Sequence, residues 1–253
     1  MLILLSPAKI QNFKAQHILS EYTQPDFIDE AQYLVNELKK LSIDELAALL
    51  SVNYDLAKLN ADRFFNWQQP FTASNAKQTI LVFNGEVFHG LDAKTFSSAD
   101  FDYAQSHLRI LSGLYGVLRP LDLIQAHRVD VSTKLKTTAG NDLYAFWKEK
   151  ITKNIIHSAK KTDNIILNLA SNEYFKSLDK RKLSARVIDV DFLESKGDTY
   201  KTIVIYTKKA RGLLARYVIQ NRIEKIEDLQ GFNDEGYWFN PHLSSENKLI
   251  FTR

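Results

Sequence analysis

The sequence predicts an α/β protein, in detail a mixed α+β fold with a central mixed sheet, and three observations carry that prediction. Short apolar runs of strand length recur at Leu2–Leu5, Leu108–Leu111, Asn164–Leu169 and Lys248–Thr252, each bounded by polar or turn residues. Between them lie segments with apolar residues at three- and four-residue spacing, the period of a helix. No repeat, low-complexity tract or Pro/Gly-rich linker interrupts the 253 residues, so one domain over 1–253 is expected.

Taken in order, Leu2 to Leu5 reads as a buried strand leading into Ser6-Pro7-Ala8-Lys9. Helical spacing of Tyr33, Leu34, Leu38 and Leu41 predicts a helix from about Asp29 to Leu41. Ser42 followed three residues on by Glu45 has capping-box spacing and starts a second helix through Leu46, Leu49 and Leu50. After Ser51-Val52-Asn53, a third runs through Leu56, Leu59 and Phe64, completing a helical insertion near 29–66. Thr79 to Phe83 is β-branched and apolar, and Asn84-Gly85 before Glu86-Val87-Phe88 predicts a hairpin there. A helix is expected over Ser98–His107, loop or edge strand over Arg128–Thr138, and a long helix over Leu143–Ala159. Ala185–Leu193 and Thr199–Thr207 read as strands joined by a hairpin at Lys196-Gly197-Asp198, and a helix follows over Lys208–Arg222.

Composition sets bounds on function. Hydrophobic content of 45% and charged content of 25% are those of an ordinary globular protein. The opening run Met1–Leu5 ends at Ser6-Pro7, too short for a signal-peptide core, and no apolar run approaches ~18 residues, so no membrane span is expected. With no cysteine there is neither a disulfide framework nor thiolate chemistry, which favours a cytoplasmic location. The six histidines (17, 89, 107, 127, 157 and 242) show no paired ligand spacing, so neither a metal site nor a cofactor motif is read. Net charge is only +3, yet Tyr200 to Arg222 holds six Lys or Arg and no acid. A segregated basic face suggests an anionic partner.

Four constellations are candidates for chemistry. On the helix after Lys208, Ala210, Leu213, Leu214, Tyr217 and Val218 fall on one side, while Lys208, Lys209, Arg211, Arg216 and Arg222 fall on the other. Gly212 projects into that basic face. Its reading here is an anion lying against bare backbone, with close helix packing as the plainer alternative. Second, Ser6–Lys9 and Asn168–Lys176 follow two strand ends, where open sheets bind ligands. Ser6, Lys9, Ser171, Glu173 and Tyr174 are the candidates there for nucleophilic or general-base work. Third, Arg109–Asp122 breaks at Ser112-Gly113 and Gly116, which would bring backbone and Arg119 to the floor of an anion-binding cleft, with a tight connection and a structural arginine as the equal alternative. Fourth, Leu46, Leu49, Ser51-Val52-Asn53 and Ala57 match the spacing of a helix-hairpin-helix, with Asn53 standing for a left-handed glycine and Lys58 and Arg63 nearby. Asp55 and the acidic surroundings favour an ordinary helical hairpin over about 42–66. Tyr115, Tyr174, Tyr237 and Trp238 are aromatic candidates for base stacking.

Five blocks together resemble the YaaA family of peroxide-stress resistance proteins. They are L-I-L-L-S-P-A-K at 2–9, R-I-L-S-G-L-Y-G-V-L-R-P-L-D at 109–122, N-L-A-S-N-E-Y-F-K at 168–176, K-K-A-R-G-L-L-A-R-Y at 208–217 and G-F-N-D-E-G-Y at 231–237. Ile10-Gln11-Asn12-Phe13 departs from the family's Thr-Leu-Asp-Tyr type of segment. At 127–131 the family's acid is shortened to Asp130 while Arg128 is kept. The resemblance implies a family-specific α/β fold with a basic cleft and a helix-hairpin-helix. It also implies binding to duplex or distorted DNA in oxidative-stress defence, and a link to low intracellular iron. The phosphate-binding set is then Lys9, Ser51, Val52, Asn53, Lys58, Arg63, Arg109, Arg119, Arg128, Lys176, Lys208, Lys209, Arg211, Gly212 and Arg216. DNA is the partner expected first. The alternative is an enzyme acting on a nucleotide or nucleic acid in the same cleft, and oligomeric state stays open.

Overall fold

Leu2 to Leu5 present no polar side chain, and they form β1 (Leu2–Leu5), wholly buried at the middle of a sheet. The computed structural model describes residues 1–14, 19–197 and 199–253, so His17 and Asp198 lie outside the described residues. On one side of β1 runs β3 (Leu108–Ser112), on the other β6 (Ile165–Asn168), both parallel to it, with Ile3 opposite Leu108 and Leu167. Next to β6 come β7 (Arg186–Lys196) and β10 (Lys248–Thr252), again parallel. The edges are antiparallel: β4 (Gly116–Leu118) pairs with β3, and β9 (Trp238–Phe239) with β10. The short β8 (Thr199–Lys201) folds back on the end of β7, giving eight strands in all among the described residues. Strands buried on both faces read as continuous apolar runs, which is why the sequence displayed them so plainly. A two-stranded ribbon of β2 (Lys77–Gln78) and β5 (Leu123–Ile124) stands apart.

The helical insertion consists of α1 (Ile28–Leu38), α2 (Ile43–Leu50) and α3 (Tyr54–Asn66). Ser42 and Glu45 form the reciprocal capping box. In the turn between α2 and α3 the roles differ from those expected. Ser51 takes the left-handed conformation (φ 52°), while Asn53 is extended and caps α3 by accepting from the Leu56 amide. Helices α6 (Ser98–His107) and α7 (Leu143–Ala159) have the predicted bounds.

Two strand expectations are overturned. Thr79–Phe83 is not a hairpin strand: Thr79–Val82 is a helical turn, α4. The Thr79 and Ile80 amides donate to the carbonyls of Asp122 and Pro120, at 2.9 and 3.0 Å, so a tertiary anchor overrides β propensity. Gly85 then opens a helix, α5 (Glu86–Leu91), instead of turning a hairpin. Likewise only Thr199–Lys201 of the second predicted strand pairs, and α9 (Val204–Asn221) begins four residues before Lys208.

The most extensive helix packing joins α5 to α9, and it explains Gly212. The residue is buried, and a Cβ there would sit 1.9 Å from the Val87 carbonyl oxygen and 2.7 Å from the Leu91 nitrogen. Gly90 mirrors it, with a Cβ position 2.2 Å from the Lys209 carbonyl oxygen. Bare backbone meets bare backbone across the two helices, so the anion-facing reading of Gly212 gives way to helix packing. In an open helix Gly→Ala gains roughly 1 kcal/mol. Here overpacking against backbone should reverse the sign, and urea unfolding of Gly212→Ala is expected to show a loss of about 1–3 kcal/mol. A midpoint equal to or above that of the parent chain would return Gly212 to the surface role.

Candidate functional site

The loops that leave β1 and β6 at their carboxyl ends lie side by side, and the parallel register of the two strands makes them meet. The Ser171 amide donates to Ser6 Oγ at 2.8 Å, and the two hydroxyls are 3.2 Å apart. Ser171 Oγ also caps the one-turn helix α8 (Asn172–Phe175) through the Tyr174 amide. Beyond this seam opens a cavity of about 320 Å³. Its wall takes Ser6 to Ile10 from the first loop, and Ser171, Glu173 and Tyr174 from the second. Asn84–Val87 at the start of α5 and Lys208 and Arg211 of α9 complete it with Asp130. The Gly90–Gly212 approach is what holds the last two groups at this distance.

The five residues singled out for chemistry, Ser6, Lys9, Ser171, Glu173 and Tyr174, therefore share one cavity. Asp130 organises its wall. One carboxylate oxygen lies 3.3 Å from Lys9 Nζ, and the other accepts from the Tyr174 hydroxyl at 3.1 Å. Burial, reinforced by the Asp130 charge, pushes the Tyr174 phenol well above its ordinary range, so it stays a hydrogen-bond donor. Glu173 accepts from Ser132 Oγ at 2.6 Å, and its backbone carbonyl accepts from the Tyr144 hydroxyl. Burial pulls the Arg211 guanidinium below its usual value, opposed by the charges of Asp191 and Asp189. Its buried Nε has no hydrogen-bond partner among the described residues, and the same holds for Arg128 Nε. Arg128 lies in an adjoining groove that shares Pro7–Lys9, Asp130 and Tyr174 with the cavity. Half-buried Arg63, in the last turn of α3, has its pKa lowered by burial and then by the Arg128 charge. The cavity wall carries three cations (Lys9, Lys208, Arg211) and three carboxylates (Glu86, Asp130, Glu173), where the family resemblance implied a basic cleft.

Several expected phosphate ligands are committed elsewhere. Arg119 does not reach the cavity. It pairs with buried Asp122 at 2.9 Å and Asp26 at 3.3 Å, and donates to the Gln24 carbonyl. Arg109 donates to the Gln105 and Leu108 carbonyls, and burial lowers its pKa. Arg216 closes the end of α5, donating to the Leu91 and Asp92 carbonyls and to Thr95 Oγ1. Lys209 is paired with Glu235 of the 231–237 block, and Arg222 with Asp100 over the Tyr103 ring. For the three on α9 or its cap the cause is the same: helix amphipathy separates charge from apolar surface but does not show which cations a neighbouring loop will take. Lys58, Lys176, Ser51 and Asn53 are exposed and Val52 is partly so. Of the four aromatic candidates, Tyr115, Tyr174 and Tyr237 are buried, and Trp238 is exposed.

The Arg109–Asp122 stretch contributes differently from what was expected. It is the β3–β4 hairpin, with Gly116 at φ 68°. A Cβ on Gly113 would lie 2.3 Å from the Val129 carbonyl oxygen and 2.6 Å from the Asp130 carbonyl carbon. The missing side chain lets the 129–130 segment lie on the hairpin, and so places Asp130. Asn84, Glu86, Ser132 and Tyr144 went unrecognised as site residues, the first two because their segment was taken for a hairpin.

Taken together, a mostly parallel sheet with a cavity at its carboxyl edge, its wall carrying both cations and carboxylates, defines an α/β protein with a cleft at its strand ends, the place where open sheets bind ligands. Comparison with protein families then gives the identity: the family described as Peroxide stress protein YaaA matches residues 1–243, and the chain belongs to it. Its place is thus in the response to peroxide stress. Among the described residues, no helix is long and apolar enough to cross a membrane, and no group of three His, Cys, Asp or Glu could hold a metal ion.

Buried His127 ties the cleft to pH. Its amide donates to Gln11 Oε1 at 3.0 Å, and Nδ1 lies 2.9 Å from the Gln125 carbonyl, which puts the proton of the neutral ring on Nδ1. Burial pulls its pKa down to about 4 from 6.5. The unfolded chain therefore binds the extra proton first. The stabilisation is complete above pH 6.5 and is lost as pH falls from there toward 4, on the order of 3 kcal/mol in all. His107, also lowered by burial, adds in the same direction. Thermal melts from pH 7.5 to 4.5 should fall less steeply for His127→Gln than for the parent. Parallel curves would remove His127 as the cause.

Proposed function

We propose that, within the peroxide stress response, the chain binds distorted DNA by seating one unpaired nucleotide in the cavity while flanking backbone runs over the α2–α3 hairpin. The observation that carries this reading is the convergence of Lys9, Lys208 and Arg211 on a cavity of about 320 Å³, with Arg211 Nε buried and unpartnered among the described residues. That volume belongs to small-ligand pockets, about 300–1,000 Å³, and excludes a duplex. An extrahelical nucleotide fits, and unpairing costs least where DNA is already damaged or mismatched. Arg128 in the adjoining groove continues the cations outward, and the exposed Lys58 and Lys176 would meet flanking phosphates. Shielding DNA and lowering iron both limit peroxide damage, and these residues speak to the first.

A second reading, an enzyme acting on a nucleotide or nucleic acid in the same cavity, is favoured by the meeting of Ser6, Lys9, Ser171, Glu173 and Tyr174 there. The first reading is tested with an intact duplex and one carrying an unpaired nucleotide, each at two salt concentrations. The unpaired substrate should bind more tightly. Lys208→Glu/Arg211→Glu should weaken binding and flatten the log–log salt slope by about 0.7–0.9 for each phosphate that is no longer neutralised. Unchanged affinity and slope in the variant would overturn the assignment.

A further inference from the structure

We infer that Lys9 is an amine nucleophile for base-less deoxyribose, and that the cleft cleaves DNA at abasic sites by β-elimination. This rests on the proposed seating of an unpaired nucleotide and adds the reaction. Oxidative damage to DNA releases bases and leaves a sugar whose ring opens to an aldehyde at C1′. Such a sugar needs less room than an intact nucleotide, and the cavity offers it one primary amine held against a carboxylate: Lys9 Nζ is 3.3 Å from Asp130 Oδ2. Imine formation by lysine on a carbonyl is a standard covalent route. The cavity supplies the remaining parts. The Tyr174 hydroxyl fixes the other Asp130 oxygen, so the free one faces the amine. Lys208 and Arg211 stand in the wall as counter-charges for a departing phosphate.

The steps balance without any further reagent than water. Asp130 takes a proton from the Lys9 ammonium, and the neutral amine adds to C1′ of the open-chain aldehyde. Asp130 returns that proton to the carbinolamine hydroxyl, which leaves as water and gives a protonated C=N bond. The regenerated Asp130 carboxylate then removes a C2′ proton, the electrons form C2′=C3′, and the C3′–O bond breaks with the 3′-phosphate as leaving group. Water hydrolyses the imine, which restores Lys9 and releases an unsaturated aldehyde on the cut strand.

The test uses the full chain with a duplex bearing one abasic site and an otherwise identical intact duplex. Affinity is measured first, then strand cleavage, then trapping with borohydride, which reduces the imine to a stable amine. A covalent adduct is expected on the abasic duplex only, and mass mapping should place the sugar remnant on the peptide containing Lys9. Asp130→Asn should slow cleavage by roughly 10²-fold or more, the ordinary scale of a lost proton-transfer group. Lys9→Met should abolish adduct and cleavage. Tight binding of the abasic duplex with no adduct would overturn the chemistry and leave the binding reading standing. Failure to bind either duplex would overturn both, and an adduct mapped to another lysine would overturn the role of Lys9.

Discussion

The parallel pairing of β1 with β6 is the constraint on which everything around the cleft depends. Leu4 and Asn168 share a register, the Leu169 amide donates to the Leu4 carbonyl, and the two chains leave the sheet together. A slip of one residue would reverse every side chain of β1 between the sheet's faces and separate Ser6 from Ser171. Because β1 is buried on both faces and flanked by two parallel partners, such a slip would strand apolar groups and ladder bonds at once. The rigidity of the site is thus inherited from the least polar segment of the chain.

Two close backbone approaches then furnish the walls. Gly113 lets the Val129–Asp130 segment settle on the β3–β4 hairpin, and the facing pair Gly90 and Gly212 lets α9 settle on α5. One delivers a carboxylate, the other two cations. Neither approach involves a residue that would touch a ligand, yet both fix groups that would. The pairing of half-exposed Arg119 with buried Asp122 works on the same scale, tying the end of the hairpin to Gln24 and Asp26, so the most conspicuous arginine of that stretch serves the scaffold.

How far the residues announced this arrangement can be judged element by element. β1, α6, α7 and β10 were legible because a continuous apolar run or a long helical period leaves few alternatives. Thr79–Val82 was not, since its β-branched residues suit a strand until carbonyls from Pro120 and Asp122 capture its amides. The convergence of the Ser6 and Ser171 loops could be foreseen from strand ends alone. Gly212 and Arg216 could not be assigned, because a helix wheel shows a face without showing what covers it. Asp130, which gathers Lys9 and Tyr174, lies in a stretch with no regular period, and only its neighbours in space give it meaning.

The sulfur content acquires a sharper sense once burial is known. The chain has no thiol, and its single thioether, Met1, is 1% exposed beneath the sheet's end. Peroxide itself attacks soft, accessible sulfur before most other groups. The described residues offer it no accessible sulfur, so the fold and the charges of the cleft are spared that route of damage.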